Sequence, residues 1–373
     1  MKFKNKFPCL FIIIIMVTLA FHCDNKENIT APYESKFEVS VAKWYENHTA
    51  AITLNYDTGS PYIDREKKVT DKVVEYGLRM DFEIVAKNYE DRPYMRDYFE
   101  DYLIPLGFGY FGHGYEHVNH DELTYDSAYT SIKLTWDIMM KYGLKPVSFA
   151  YPGGFGFEEE THRALKNVGF LNGRFHSRFD TVNPYILPDG EEDAMNWYEL
   201  PSLVMEAYDF RDCAECVNDN TDLVPILDGA IEKHAWIILT YHNIGYPDGW
   251  GYYDWDEFVA DLEAITQRDF WNATMDNITL YIKERQQVAP IARAKFNCEN
   301  EIEEIQITLS DGLDNSYYDQ ELTVLFDVPK NWINKNIELS QGYSNPKTLK
   351  FDNQNGMISL KPNEKTYFLR KSN

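Results

Sequence analysis

Short apolar runs alternate with amphipathic stretches from about residue 50 to residue 285, and that alternation leaves few folds open. Ala51-Ile-Thr-Leu-Asn-Tyr56 reads as a buried strand that ends in the turn signal Asp57-Thr-Gly59. A helix near 65–76, a strand near 80–86 and a helix near 93–104 follow. The segment 121–142 carries Tyr125, Ala128, Tyr129, Ile132, Trp136 and Met139 at three- and four-residue spacing, and Gly143 closes it. Pro146-Val-Ser-Phe-Ala-Tyr151 is a further strand, with a helix through Thr161–Val168 behind it. A helix near 222–233 leads into Trp236-Ile-Ile-Leu-Thr-Tyr241, the most apolar strand, and a helix covers about 256–267. Repetition of this kind implies parallel strands with helical crossovers, hence an α/β barrel or a doubly wound sheet. Such folds place their chemistry at the carboxyl ends of the strands.

Beyond about Ala289 the texture changes. Ile302–Leu309, Glu321–Phe326, Asn336–Leu339 and Met357–Leu360 alternate apolar with polar residues, with turns at Ser310-Asp-Gly312 and Asn353-Gln-Asn-Gly356. A small all-β accessory domain is expected over 289–373. It would either pack against the first domain or bind carbohydrate. At the other end, Lys2, Lys4 and Lys6 precede the apolar run Leu10–Ala20, which has secretory length and is short for a membrane span. The following Leu19-Ala-Phe-His-Cys23 resembles a bacterial lipoprotein signal, although Phe21 and His22 are bulkier than is usual there. Residues 1–22 are therefore read as a signal peptide and 23–45 as an N-terminal extension. Export to the periplasm or cell surface is expected, with a lipid anchor at Cys23.

The 60 Asp and Glu against 36 Lys and Arg give a net charge of -24, a surface that repels phosphate backbones and excludes nucleic acid as a partner. A small anionic sugar is less excluded, because local arginines act within a screening length of about 10 Å. The 15% aromatic content suits a large core and sugar stacking equally. Cys213-x-x-Cys216 has no second pair to complete a zinc ribbon and reads as a local disulfide without a catalytic role.

Three strand ends carry reactive groups. The first delivers Asp57 beside a glycine turn, and the last delivers Tyr241-His242. Between them, Gly112-His-Gly-Tyr-Glu-His-Val-Asn-His120 presents histidines at 113, 117 and 120. Neutral imidazoles four residues apart can converge on one divalent cation, and zinc suits them.

Taken in order, these segments resemble the polysaccharide deacetylase family, over about residues 40–270. That family's Phe-Asp-Asp-Gly motif reads Tyr56-Asp-Thr-Gly59 here, and its His-x-x-x-His motif reads His113-Gly-Tyr-Glu-His117. Phe149-Ala-Tyr-Pro-Gly-Gly154 stands for its proline motif, and Ile237-Ile-Leu-Thr-Tyr-His242 for its last strand. The resemblance implies a distorted (β/α) barrel over 46–288 and a metal-dependent carbohydrate esterase acting on a polysaccharide or oligosaccharide. Asp57 would be the general base, His242 the general acid, and His113 and His117 the ligands of a divalent metal, zinc.

Two departures bear on this expectation. The family's second aspartate, a metal ligand, is Thr58, and the arginine often found before the proline motif, contacting the base, is Ala150. A threonine serves a dication poorly. The third ligand would then be His120 or Asp57, with His120 otherwise a neighbour of a helix cap. The same groups could instead serve β-elimination on a uronic-acid substrate, or the protein could bind glycan without acting on it. Tyr151 at the cleft mouth, Arg174 after a glycine-ended helix and Trp250 in the loop beyond His242 are the candidate substrate-binding residues.

Overall fold

The computed structural model describes residues 35–57, 63–177, 183–189, 195–207, 216–297, 299–342 and 346–372. The N-terminal segment expected to carry the export signal and Cys23, and also Thr58, Cys213 and Cys298, lie outside the described residues. Cys216 is disulfide-bonded. None of the described helices is long and apolar enough to cross a membrane.

Two short strands, β1 (Ser35–Lys36) and β2 (Val39–Val41), open the described chain. Seven parallel strands follow: β3 (Ala50–Tyr56), β4 (Asp81–Ile84), β5 (Gly109–Gly112), β6 (Ser148–Ala150), β7 (Asn172–Ser177), β8 (Leu200–Val204) and β9 (Trp236–Tyr241). They pair in that order, and β3 pairs with β9, so the sheet closes on itself. The intervening helices are α1 (Ile63–Glu75), α2 (Ala86–Asp91), α3 (Pro93–Tyr98), α4 (Tyr125–Lys141), α5 (Glu159–Val168) and α6 (Asn220–Lys233). Strands β10 (Asn243–Ile244) and β11 (Tyr252–Tyr253) pin the loop after β9, ahead of α7 (Trp255–Thr266), β12 (Phe270–Asn272) and α8 (Met275–Gln287). A closed barrel of parallel strands with outer helices is the fold that the resemblance implies.

The remaining strands are β13 (Ala289–Phe296), β14 (Ile302–Ser310), β15 (Leu322–Asp327), β16 (Asn336–Gln341), β17 (Lys347–Lys350), β18 (Asn355–Leu360) and β19 (Asn363–Lys371). They form the all-β part, a six-stranded sheet β1-β13-β14-β19-β16-β17 and a three-stranded sheet β18-β15-β2. The N-terminal strands thus belong to the same β layers as the C-terminal ones.

Strand alternation sorts the barrel side chains. Tyr56, Phe82 and Tyr241 face the helices, where Tyr241 meets Phe258 edge-on with centroids 5.2 Å apart. The residues on either side of them point the other way, into the barrel. A second core joins Ala51, Phe111 and Trp236 to Ile278 and Tyr281 of α8 and on to Ile305, Leu322 and Trp332 of the β layers.

One buried carboxyl in the helix layer makes stability depend on pH. Asp261 of α7 accepts hydrogen bonds from Tyr241 Oη and Asn220 Nδ2, both at 2.9 Å. Burial nevertheless raises its carboxyl to about 7. The folded chain thus holds this proton more tightly than the unfolded chain, whose carboxyl titrates near about 4. Stability should fall as pH rises from about 4 to about 7 and level off above that. Urea unfolding across that range checks this, and Asp261→Asn should flatten the slope by about one proton.

Candidate active site

Five polar side chains sit at carboxyl strand ends, each two residues above another inward-facing residue. The lower layer contains Asn55, Asp81, Phe111, Arg174 and Thr240, and the upper contains Asp57, Glu83, His113, His176 and His242. Arg174 is completely buried and ties the layers together. Its Nη2 donates to both Asp57 carboxylate oxygens, its Nε donates to Asn55 Oδ1 at 3.1 Å, and its guanidinium lies 5.0 Å from the Phe111 ring centroid. Asn55 Nδ2 continues the chain to Asp81 Oδ2 at 3.3 Å. Gly109 has no side chain because a Cβ there would lie 1.8 Å from Asp81 Oδ1.

Above this support, one cavity of about 370 Å³ is lined by Asp57, Glu83, His113, His117, Gly153, His176, His242, Asn243 and Trp250. Asp57 emerges from β3 with its amide bonded to Tyr241 O of β9 at 2.9 Å. Burial pushes its carboxyl up, but the Arg174 guanidinium, assisted by His176, prevails and holds it below the usual carboxylate range. His176 Nε2 stands 3.8 Å from Asp57 Oδ2. His113 faces Ala150 O of β6 through Nδ1 at 3.0 Å, and its Nε2 lies 3.3 Å from Glu83 Oε2. Burial lowers His113 to about 3 and also lowers His176 and His242, so all three rings are uncharged at neutral pH. His117 is at the exposed rim, 4.8 Å centroid to centroid from His113, with a left-handed backbone at φ 50°. His242 packs edge-on under Trp250 at 4.2 Å, and Trp250 is half exposed.

Of the residues that the sequence points to, Asp57, His113, His117, His242 and Trp250 share this cavity. Three others do not line it. Tyr151 is buried in the core, its hydroxyl donating to Tyr198 O at 2.9 Å, so it does not stand at the cleft mouth. Arg174 is closed off below the site and serves Asp57 rather than a substrate. His120 bonds Ser131 Oγ at 3.0 Å and packs on Phe149. The proline-motif arginine that the sequence lacks has a counterpart one strand over. Ala150 of β6 is the register partner of Arg174 of β7, and the guanidinium from the neighbouring strand reaches Asp57.

Glu83 and His176 are the two titratable residues of this cavity that lie outside the sequence motifs. Two close-set groups of metal-capable atoms result, Asp57 with Glu83 and His113, and Asp57 with His176 and His242. In each group the atoms lie within 4.8 Å of one another. The donor chemistry fits a divalent cation. An uncharged imidazole with its Nδ1 hydrogen fixed on a carbonyl offers Nε2 as a lone pair, and a carboxylate faces it.

Comparison of the sequence with protein-family models and with curated proteins finds no match. Among solved structures, a Mycobacterium smegmatis protein assigned to the polysaccharide deacetylases is similar at 15% identity, with 68% of this chain and 96% of that one covered, and a TM-score of 0.46. The peptidoglycan deacetylase PdaC from Bacillus subtilis is 15% identical over 64% of this chain and 94% of its own, with a TM-score of 0.40. A pseudoenzyme of carbohydrate esterase family 4 from Bacillus anthracis is 11% identical over 61% and 65%, also with a TM-score of 0.40. The barrel is polysaccharide deacetylase-like. Closure of seven parallel strands and the order of the motif residues at their ends make it so.

Proposed function

We propose that this chain is a cation-dependent carbohydrate esterase that removes acetyl groups from a polysaccharide or oligosaccharide at the mouth of its barrel. The observation that carries this reading is the presence, in one cavity, of an ionised Asp57, the imidazoles of His113 and His117, and His242 beneath an exposed tryptophan. His113 and His117 would hold the cation together with a carboxylate of the same rim. When bound, a divalent cation polarises the acyl carbonyl and favours negative charge on its oxygen.

The protein's own groups supply the proton traffic. Asp57, held as a carboxylate by Arg174, accepts a proton from the attacking water. A carboxyl so held keeps a proton poorly and passes it on. The nitrogens of His176 and His242 lie within 4.8 Å of its oxygens, so an imidazole can take the proton and deliver it to the departing oxygen or nitrogen of the sugar. Trp250 offers its face to a sugar ring over His242. Trp250→Ala should raise KM about fivefold on an oligosaccharide and leave kcat on a small aryl acetate nearly unchanged, since stacking on one ring is worth about 1 kcal/mol. Equal losses on both substrates would remove Trp250 from sugar binding.

Acetate release from acetylated xylan, chitin oligosaccharides and peptidoglycan fragments tests the reaction, with Asp57→Asn as the blank. A second reading has a specific observation behind it, because His176 gives the site one more proton carrier than hydrolysis needs. Two imidazoles can serve as base and acid in β-elimination on a uronate. New absorbance from an unsaturated uronate without acetate would favour that outcome. The basic and apolar run at residues 2–20 supports export from the cytoplasm with an anchor at Cys23, where such polymers lie.

A further inference from the structure

We propose that Glu83 is the carboxylate ligand of the cation, in place of the one that Tyr56-Asp-Thr-Gly59 lacks. The proposal rests on the cation-dependent reading above and fixes which carboxylate does the holding.

Strands β4 and β5 are parallel neighbours in which Glu83 registers with Phe111 and Ile84 with Gly112. The amide of His113 continues this ladder to Ile84 O at 2.9 Å. Glu83 and His113 thus leave adjacent strand ends on the same inward face, and the backbone sets their spacing. Nδ1 of His113 faces a carbonyl oxygen, which only accepts, so the ring hydrogen sits there and Nε2 is left with its lone pair. That lone pair looks at Glu83 Oε2 across 3.3 Å in a buried pocket. A dication placed beside them would take both atoms as ligands.

Asp57 is the other carboxylate in reach, and it is already committed. Arg174 Nη2 bonds both of its oxygens and balances its charge. With Arg174 holding both oxygens of Asp57, Glu83 is the carboxyl group that a dication would meet beside the His113 and His117 rings. The group of Asp57, His176 and His242 has the guanidinium on its only carboxylate and is better suited to moving protons than to holding metal.

The test is a titration of metal-stripped full-length protein with cobalt(II), following the visible d–d bands, with thermal unfolding of each metal-free sample read in parallel. Wild type should bind one cobalt. Glu83→Gln should weaken that binding on the order of a hundredfold, at least the loss seen when a partner of a metal ligand is removed, and should change the band shape. Glu83→Asp keeps the charge but shortens the reach, so it should fall between the two. Should the glutamine variant fail to fold, the aspartate variant decides alone. Unchanged affinity and spectrum in a folded Glu83 variant would overturn the assignment of Glu83 and leave the esterase reading standing. Absence of cobalt binding by wild type, with a proton alone between Glu83 and His113, would overturn both.

Discussion

Replacing Arg174 with methionine should destabilise the folded chain by about 3–5 kcal/mol, the cost of stranding a buried charge without its partner. The guanidinium has no solvent exposure, and Asp57, which it grips through both oxygens, is only 6% exposed. Removing it leaves the carboxylate of Asp57, at the end of β3, in a cavity whose described lining has no other lysine or arginine. The Asp57→Asn/Arg174→Met pair should recover part of the loss, because the stranded charge goes with its partner. Urea unfolding of the two single variants and the double closes the cycle. Additive losses would show that Arg174 acts through packing on Phe111 rather than through Asp57.

Replacing His242 with alanine should lower kcat by about 10²–10⁴-fold, the range for losing a positioned acid or base, with a stability change of no more than about 1 kcal/mol. His242 Nδ1 has no hydrogen-bond partner among the described residues, so the ring is not a structural tie. Its position comes from Trp250 above and from Gly251, where a Cβ would lie 2.7 Å from its own Cβ and where φ is +68°. A small loss of kcat with a large loss of stability would reverse the assignment. His176→Ala separates the two reactions considered above. A modest effect on acetate release fits a relay beside Asp57, whereas an abolished elimination product would give His176 the role of base.

The barrel was legible where its sequence is apolar. Ala51–Tyr56 and Trp236–Tyr241 are mostly apolar runs, and the structure has strands at Ala50–Tyr56 and Trp236–Tyr241. The helix read over 121–142 is observed as Tyr125–Lys141, capped by Thr124 Oγ1 on the Ser127 amide. Strands β5 and β7 were not read as strands, for a physical reason. Gly109-Tyr-Phe-Gly112 begins and ends in glycine, and Asn172-Gly-Arg-Phe-His-Ser177 is polar at its inward positions because it furnishes the floor and wall of the site. Tertiary contacts, not local preference, make these segments extended.

The same cause hid Glu83 and His176. A charged or polar residue in a short strand reads as solvent-facing, whereas inside a closed barrel it faces the lumen. A signal was present nonetheless. Asn55-Tyr-Asp57, Asp81-Phe-Glu83, Arg174-Phe-His176 and Thr240-Tyr-His242 all repeat a polar, aromatic, polar triplet, with the aromatic residue among the buried core residues that face the helices. Four such triplets at strand ends mark a two-layered polar lumen, and the misplaced reading of Arg174 as a substrate contact came from treating it alone. Tyr151 was misjudged for the converse reason. Its neighbours Ala150 and Pro152 are buried, and its hydroxyl is satisfied by a backbone carbonyl, so nothing brings it to the cleft.

Metal analysis of purified wild-type protein beside the His113→Ala/His117→Ala double variant bears most directly on the reaction proposed. About one equivalent of a divalent cation, zinc by the chemistry of its imidazole ligands, is predicted in wild type and none in the double variant. Retention of the same equivalent by a folded double variant would contradict the placement of the cation between the β5 loop and Glu83.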